Sequence, residues 1–332
     1  MTPRPLLEIS ALHVTYATSG GEVVAVRGLD LDVAPGEKVG LAGESGCGKS
    51  TLALALLRLL PATAKVEGRI AFDGEDLLQA NWGRLRAVRW AGASIVFQGA
   101  MHSLNAVQRI GDQIAEPILL HDKTSKAEAH RRVGELLQQV GLPPARAKAY
   151  PHELSGGMRQ RVMIAMALAC RPKLIMADEP TTALDVMIQA QILRLIEQLV
   201  ADQGISLIMI SHDLAVLAET CDRLAVMYAG RIVEQGPASE VFSRPRHPYA
   251  KALSAAFPTI GDPSSRRHPS GLAGDPPDPS ELPAGCSFHP RCPDRMDQCL
   301  EIDPVLWPAG PERLSACLLS APEDVATTEV SR

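Results

Sequence analysis

Gly43-Glu44-Ser45-Gly46-Cys47-Gly48-Lys49-Ser50-Thr51 fits the pattern G-x-x-x-x-G-K-[ST] and lies between a short apolar run and a helical pattern. Gly43, Gly46 and Gly48 free the backbone to curl its N–H groups around a phosphate, with Ser45, Cys47 and Thr51 in the same cradle. Lys49 is suited to neutralise the β- and γ-phosphate oxygens, and Ser50 to bind Mg²⁺. A chance Gly-rich turn is the competing reading, and the strand-loop-helix setting disfavours it. Further on, Leu174-Ile175-Met176-Ala177 is followed by Asp178-Glu179. A buried strand that ends there delivers Asp178 towards a metal and puts Glu179 one residue further, as a general base for water. The same pair taken alone could merely cap the next segment. A second Gly-rich stretch, Leu154-Ser155-Gly156-Gly157-Met158-Arg159-Gln160-Arg161, opens another helical pattern. The Ser155 hydroxyl and the N–H groups of Gly156 and Gly157 then sit at a helix N-terminus, where the dipole favours an anion.

These residues need a scaffold, and the pattern supplies one. Residues 6–16, 23–33, 39–42 and 66–73 read as strands, with a turn at Ala34-Pro35-Gly36-Glu37 and a helix from about 49 to 60. Residues 110–169 are helical, broken at 141–144 and near 150–151. Strand 174–177, helix 186–203, strand 205–210, helix 213–219 and strand 223–228 then alternate. Such alternation argues for a parallel sheet covered by helices. Residues 258–285 hold seven prolines with little periodicity, which reads as a linker or irregular wrap.

Bulk properties narrow the function. The 332 residues suit one large domain plus an appendage, and 46% of them are hydrophobic, enough for a sizeable core. A net charge of -5 argues against a nucleic-acid surface, and the arginines between 84 and 89 read as a solvated helix face. No apolar run approaches the ~20 residues that span a bilayer, and no signal-peptide core follows Met1. The expected location is therefore intracellular, with any membrane role exercised through a partner.

The phosphate loop, the LSGG helix and the apolar-Asp-Glu strand, in that order, resemble the nucleotide-binding subunit of an ATP-binding cassette (ABC) transporter over residues 6–257. The resemblance implies an α/β fold: a RecA-like P-loop NTPase parallel sheet with an antiparallel β subdomain. A helical subdomain at about 99–170 would carry LSGG, and residues 258–332 would form an irregular C-terminal extension. It also implies two subunits head to tail, each ATP being held by one phosphate loop and by Ser155, Gly156 and Gly157 of the other. Gln98, in Ile95-Val96-Phe97-Gln98, matches the residue that senses Mg²⁺ and the attacking water. Ala183-Leu184-Asp185 matches the D-loop that crosses the dimer interface, and His212 the switch histidine on the γ-phosphate. Tyr16 matches the aromatic residue that stacks on adenine, with a strand-end core aromatic as the lesser alternative. Residues 98–107 would receive the coupling helix of a permease.

Arg246-His247-Pro248-Tyr249 and the run from Gly285 to Pro293 resemble the tail of peptide and nickel importer ATPases. Ser103-Leu104-Asn105 is also similar to the peptide group, whereas Gly99-Ala100 and Ala106 depart from it. In the tail Cys286, Cys292, Cys299 and Cys317 are spaced C-x5-C-x6-C-x17-C, a set that could hold zinc, hold a [4Fe–4S] cluster or remain unligated. The resemblance favours the iron–sulfur cluster. It implies an ATP- and Mg²⁺-dependent ATPase that energises import of di- or oligopeptides from the cytoplasmic face of the membrane. Its partners would be a second, different ATPase subunit, two permeases and an extracytoplasmic solute-binding protein. A nickel or other small-solute importer is the alternative, and a soluble ABC ATPase a more distant one.

Overall fold

A computed structural model of the protein describes residues 4–99, 103–182, 184–256 and 272–322. Its elements in chain order are β1 (Leu7–Thr18), β2 (Gly21–Val33), β3 (Lys38–Ala42), α1 (Lys49–Leu56), β4 (Ala64–Phe72), β5 (Glu75–Asp76), α2 (Trp82–Val88) and β6 (Ala93–Val96). Then come α3 (Ile110–His121), α4 (Lys126–Gln139), α5 (Gly156–Leu168), β7 (Leu174–Asp178), α6 (Val186–Gln203), β8 (Ser206–Ser211) and α7 (Leu214–Thr220). The last are β9 (Arg223–Tyr228), β10 (Arg231–Pro237), α8 (Ala238–Ser243), α9 (Pro248–Ala255), β11 (Trp307–Gly310) and β12 (Arg313–Ser315). Two compact units interleave along the chain, one of residues 1–6, 33–38 and 72–210, the other of residues 7–32, 39–71 and 211–332.

In the first unit β6, β7 and β8 form parallel pairs, Ala93 opposite Leu174 and Leu174 opposite Ser206. Every residue of β7 is buried, as a strand covered on both faces requires. The long helical stretch of the sequence divides once more than its pattern suggests, because Ser125 caps α4 by accepting from the Glu128 N–H at 3.2 Å. Two 3-10 turns, Pro144–Lys148 and Pro151–Glu153, lead into α5. Asp185 caps α6 by accepting from the Ile188 N–H at 3.0 Å, and Gly204 at φ 63° ends it.

In the second unit β3 runs parallel to β9, and β9, β10, β12 and β11 follow as antiparallel neighbours. β1 and β2 form a hairpin across Ser19-Gly20, with β4 on the other edge of β1. The extension read as irregular does run without regular elements over 272–285, but it contributes β11 and β12 to the sheet. These strands of three and four residues are too short to show alternation, and Pro308 is tolerated because β11 is an edge. The buried Glu234 of β10 and Arg313 of β12 pair at 2.6 Å. Glu234 also accepts from the backbone N–H groups of Arg246 and His247. No helix of the described residues is long and apolar enough to cross a membrane.

Candidate functional site

The phosphate loop of the second unit is built from backbone conformations that side chains forbid. Gly43, Gly46 and Gly48 take φ values of 154°, 81° and 107°. A Cβ at Gly43 would stand 2.3 Å from the Met227 carbonyl oxygen, and one at Gly48 2.4 Å from that of Ala25. Gly48 is the N-cap of α1, so Lys49, Ser50 and Thr51 occupy its first turn. Lys49 is buried, and its Nζ donates to the carbonyl oxygens of Gly43 and Glu44 at 2.8 Å each. Cys47 Sγ lies 3.6 Å from the same ammonium, while burial pushes the Cys47 thiol up. Ser45, Gly46 and Ser50 are exposed. A buried cation resting on loop carbonyls can exchange them for phosphate oxygens, and an open hydroxyl in the first turn suits Mg²⁺.

Beside this loop the Tyr16 hydroxyl donates to Thr51 Oγ1 at 3.3 Å, and Tyr16 lines a cavity of about 620 Å³ shared with Ser45, Gly46 and Cys47. It is therefore a wall residue and not a core aromatic. His212 follows β8 and is exposed. Its neighbour Asp213 caps α7, accepting from the N–H groups of Ala215 at 3.0 Å and Val216 at 3.2 Å. The capping role open to a histidine at this place is thus taken by Asp213.

The first unit brings the acidic pair and the glutamine together. Asp178 is buried at the end of β7. Glu179 takes a left-handed φ of 44° and donates its N–H to the Ile210 carbonyl at 3.0 Å. For a non-glycine residue that conformation costs on the order of 1–3 kcal/mol and must be held by its surroundings. Gln98 Nε2 and the Thr182 hydroxyl both donate to Glu179 Oε2, at 2.9 and 2.8 Å. Thr182 escaped the sequence reading, and its place three residues after Glu179 was the available signal.

Ser155 caps α5 in the same unit, accepting from the Met158 N–H at 3.3 Å, and is exposed. Gly157 is required by close approach, since a Cβ there would stand 2.7 Å from Ile188 Cγ2 of α6. Gly156 has Leu184 as its neighbour, 3.3 Å from its Cβ position. Ala183 of the expected D-loop, residues 100–102 of the expected permease-docking stretch and residues 257–271 and 323–332 of the extension lie outside the described residues.

The tail motif has a structural cause. His247 is fully buried and accepts the Tyr249 N–H on Nδ1 at 3.0 Å as the N-cap of α9, with Pro248 at the first helical position. Burial pushes its pKa down to about 4. Phe288 inserts among Tyr228, Tyr249 and His247, with ring centroids 5.3, 5.4 and 5.8 Å away. Cys286, Cys292, Cys299 and Cys317 are unpaired and all line one crevice in the second unit. Burial pushes the thiols of Cys286 and Cys317 up to about 11. Among the described residues, however, no three His, Cys, Asp or Glu side chains stand in metal-holding geometry. Among the described residues the four cysteines therefore share one crevice but do not form the converged single-ion ligand set that zinc requires.

A glycine loop delivering a lysine at the N-terminus of a helix, and separately a buried parallel strand ending in Asp178 before Glu179, are the parts that define a P-loop nucleoside triphosphatase. Residues 26–182 match the ABC transporter family, and residues 233–299 match the oligopeptide/dipeptide transporter C-terminal region. The oligopeptide transport ATP-binding protein of Salmonella typhimurium is 47% identical, covering 95% of both chains. The dipeptide transport ATP-binding protein of Bacillus subtilis is 45% identical over 90% of each. Among solved structures, a dimeric ATP-binding cassette in a post-hydrolysis state with ADP and phosphate superposes with a TM-score of 0.63 at 27% identity, covering 70% of this chain and 98% of that one. A part of an ABC transporter complex from Clostridium perfringens gives 0.61 at 30% identity, covering 72% and 91%. The chain belongs to the ATP-hydrolysing, ATP-binding subunits of ABC transporters, in the branch that carries the oligopeptide/dipeptide C-terminal region.

Proposed function

We propose that this subunit hydrolyses ATP to drive uptake of di- and oligopeptides through a membrane ABC importer. The observation that carries the cargo is the match of residues 233–299 to the oligopeptide/dipeptide C-terminal region, alongside relatives of 45–47% identity over at least 90% of the chain. The subunit sits peripherally on the cytoplasmic face, bound to two permeases fed by an extracytoplasmic binding protein. Val107, 83% exposed in the expected docking stretch, offers apolar surface to a coupling helix.

In this reading Lys49 gives up the carbonyls of Gly43 and Glu44 for the β- and γ-phosphate oxygens. Ser50 and Asp178 would hold the Mg²⁺ that accompanies ATP, and Gln98 would sense it; the ion would neutralise charge on the phosphates. Glu179 accepts the proton of the attacking water, and the Gln98 and Thr182 donors fix its carboxylate for that task. His212 donates to the γ-phosphate, Tyr16 stacks on adenine, and Ser155 with the Gly156 and Gly157 amides closes the opposing subunit's site. The opposing subunit is a different ATPase of the same family.

The four cysteines are read as ligands of a [4Fe–4S] cluster that would staple the extension. Support comes from their shared crevice. Reconstitution with the co-purifying permeases, partner ATPase and binding protein in proteoliposomes tests the function. ATP-dependent accumulation of labelled tripeptide is expected; accumulation of nickel without peptide moves the chain to the nickel importers.

A further inference from the structure

The residue after Gly43 is held from far along the chain. Arg291 grips the Glu44 carboxylate with both terminal nitrogens, Nη1 to Oε2 at 2.7 Å and Nη2 to Oε1 at 2.9 Å. The Arg291 side chain is only 6% exposed. The Glu44 backbone N–H, in turn, donates to the Tyr249 hydroxyl at 2.8 Å. A two-point fork sets the orientation of a carboxylate as well as its charge, which a single ammonium cannot do.

Arg291 has a third attachment. Its Nε donates to the Ala273 carbonyl at 3.0 Å, and Gly274 at φ 74° lies against its aliphatic stem. From there the chain runs through Pro276, Pro277, Asp278 and Pro279 to Leu282, all of which line the 620 Å³ cavity that also holds Tyr16 and Gly46. That volume is in the range of about 300–1,000 Å³ found for small-molecule sites. Three prolines within four residues keep the strap extended, so little conformational entropy is lost when a ligand meets it.

We propose that residues 273–282 form a wall of the nucleotide pocket against the adenosine moiety, and that Arg291 is the positioning residue that fastens this strap to the phosphate loop. The inference rests on reading the Lys49 loop as the phosphate site. The strap adds apolar contact at the base and ribose end, where Pro277 and Leu282 complement the Tyr16 ring. Arg291 acts at both ends, orienting Glu44 while anchoring Ala273.

Calorimetric titration of the full-length chain with MgATP and with magnesium tripolyphosphate, which has phosphates but no base, separates the two contributions. Leu282→Asp and Pro277→Ser are expected to weaken ATP binding about tenfold, the scale of one lost apolar contact, and to leave tripolyphosphate binding unchanged. Arg291→Ala should weaken both ligands, and Arg291→Lys should recover only part of the loss, each variant being titrated well below its own thermal midpoint so that the loss is read on folded protein. Wild-type ATP affinity in Leu282→Asp and Pro277→Ser removes the wall. Wild-type affinity for both ligands in Arg291→Ala removes the fastener. Lys49→Ala serves as the control: if it still binds tripolyphosphate, the phosphate-loop reading fails, whatever the strap variants do.

Discussion

Glu179 combines a strained backbone with a carboxylate held by two donors, so its conformation is fixed before any nucleotide arrives. Glu179→Gln keeps the shape but removes the proton acceptor. Turnover should fall by about 10²- to 10⁴-fold while ATP affinity holds, measured by steady-state phosphate release and nucleotide titration. Near-normal turnover would assign the base elsewhere. His247 makes a different residue-scale prediction. Its folded pKa of about 4 lies below the ordinary 6.5, so between those values the unfolded chain binds a proton that the folded chain refuses. Stability is complete above pH 6.5 and declines as pH falls towards 4, by up to on the order of 3 kcal/mol from this group. His247→Asn keeps a capping acceptor without the titration, and its thermal midpoint should drop less between pH 7 and 5 than that of the parent.

At the scale of elements, the antiparallel end of the sheet depends on one buried ion pair. Glu234 in β10 is fully buried and satisfied by Arg313 and by two backbone N–H groups, and Arg313 also donates to the Arg244 carbonyl at 2.8 Å. Arg313→Met leaves the carboxylate in place without its cation and should cost about 3–5 kcal/mol in chemical denaturation. Replacing Glu234 as well, by Leu, should restore part of that loss, because the isolated charge is gone. The cysteine crevice belongs to the same region. Protein purified without oxygen should carry about four iron and four sulfide per chain, and colourless, iron-free protein would leave these cysteines a packing role.

For the whole molecule, Ser155 is exposed at the N-terminus of α5, and in the function proposed above it closes the nucleotide site of the opposing subunit. Ser155→Arg should leave ATP binding by the isolated subunit unchanged and abolish hydrolysis in the assembled importer. Equal loss of binding in the isolated subunit would argue that Ser155 serves its own chain's nucleotide. Val186 and Met187 are 78% and 72% exposed at the start of α6, next to Asp185.

Much of this was legible in the sequence because local rules decide it. Gly48 and Lys49 announce a phosphate loop, since only glycine accepts the loop's left-handed angles and only a lysine one residue later can return its ammonium to the loop. The unbroken apolar run of β7 announces a strand covered on both faces. The division at Ser125 and the strands β11 and β12 were less visible, because a capping serine and three-residue strands carry almost no periodic signal. Arg291 and Glu44 lie 247 positions apart, and Glu234 and Arg313 lie 79 apart. Their pairing depends on burial and on the geometry of a guanidinium fork, neither of which has a period in the chain. The sequence alone therefore determined the class of chemistry and the order of its parts. Only the tertiary structure decided that the cysteine-rich tail is fastened to the phosphate loop, because that contact is a matter of distance in space.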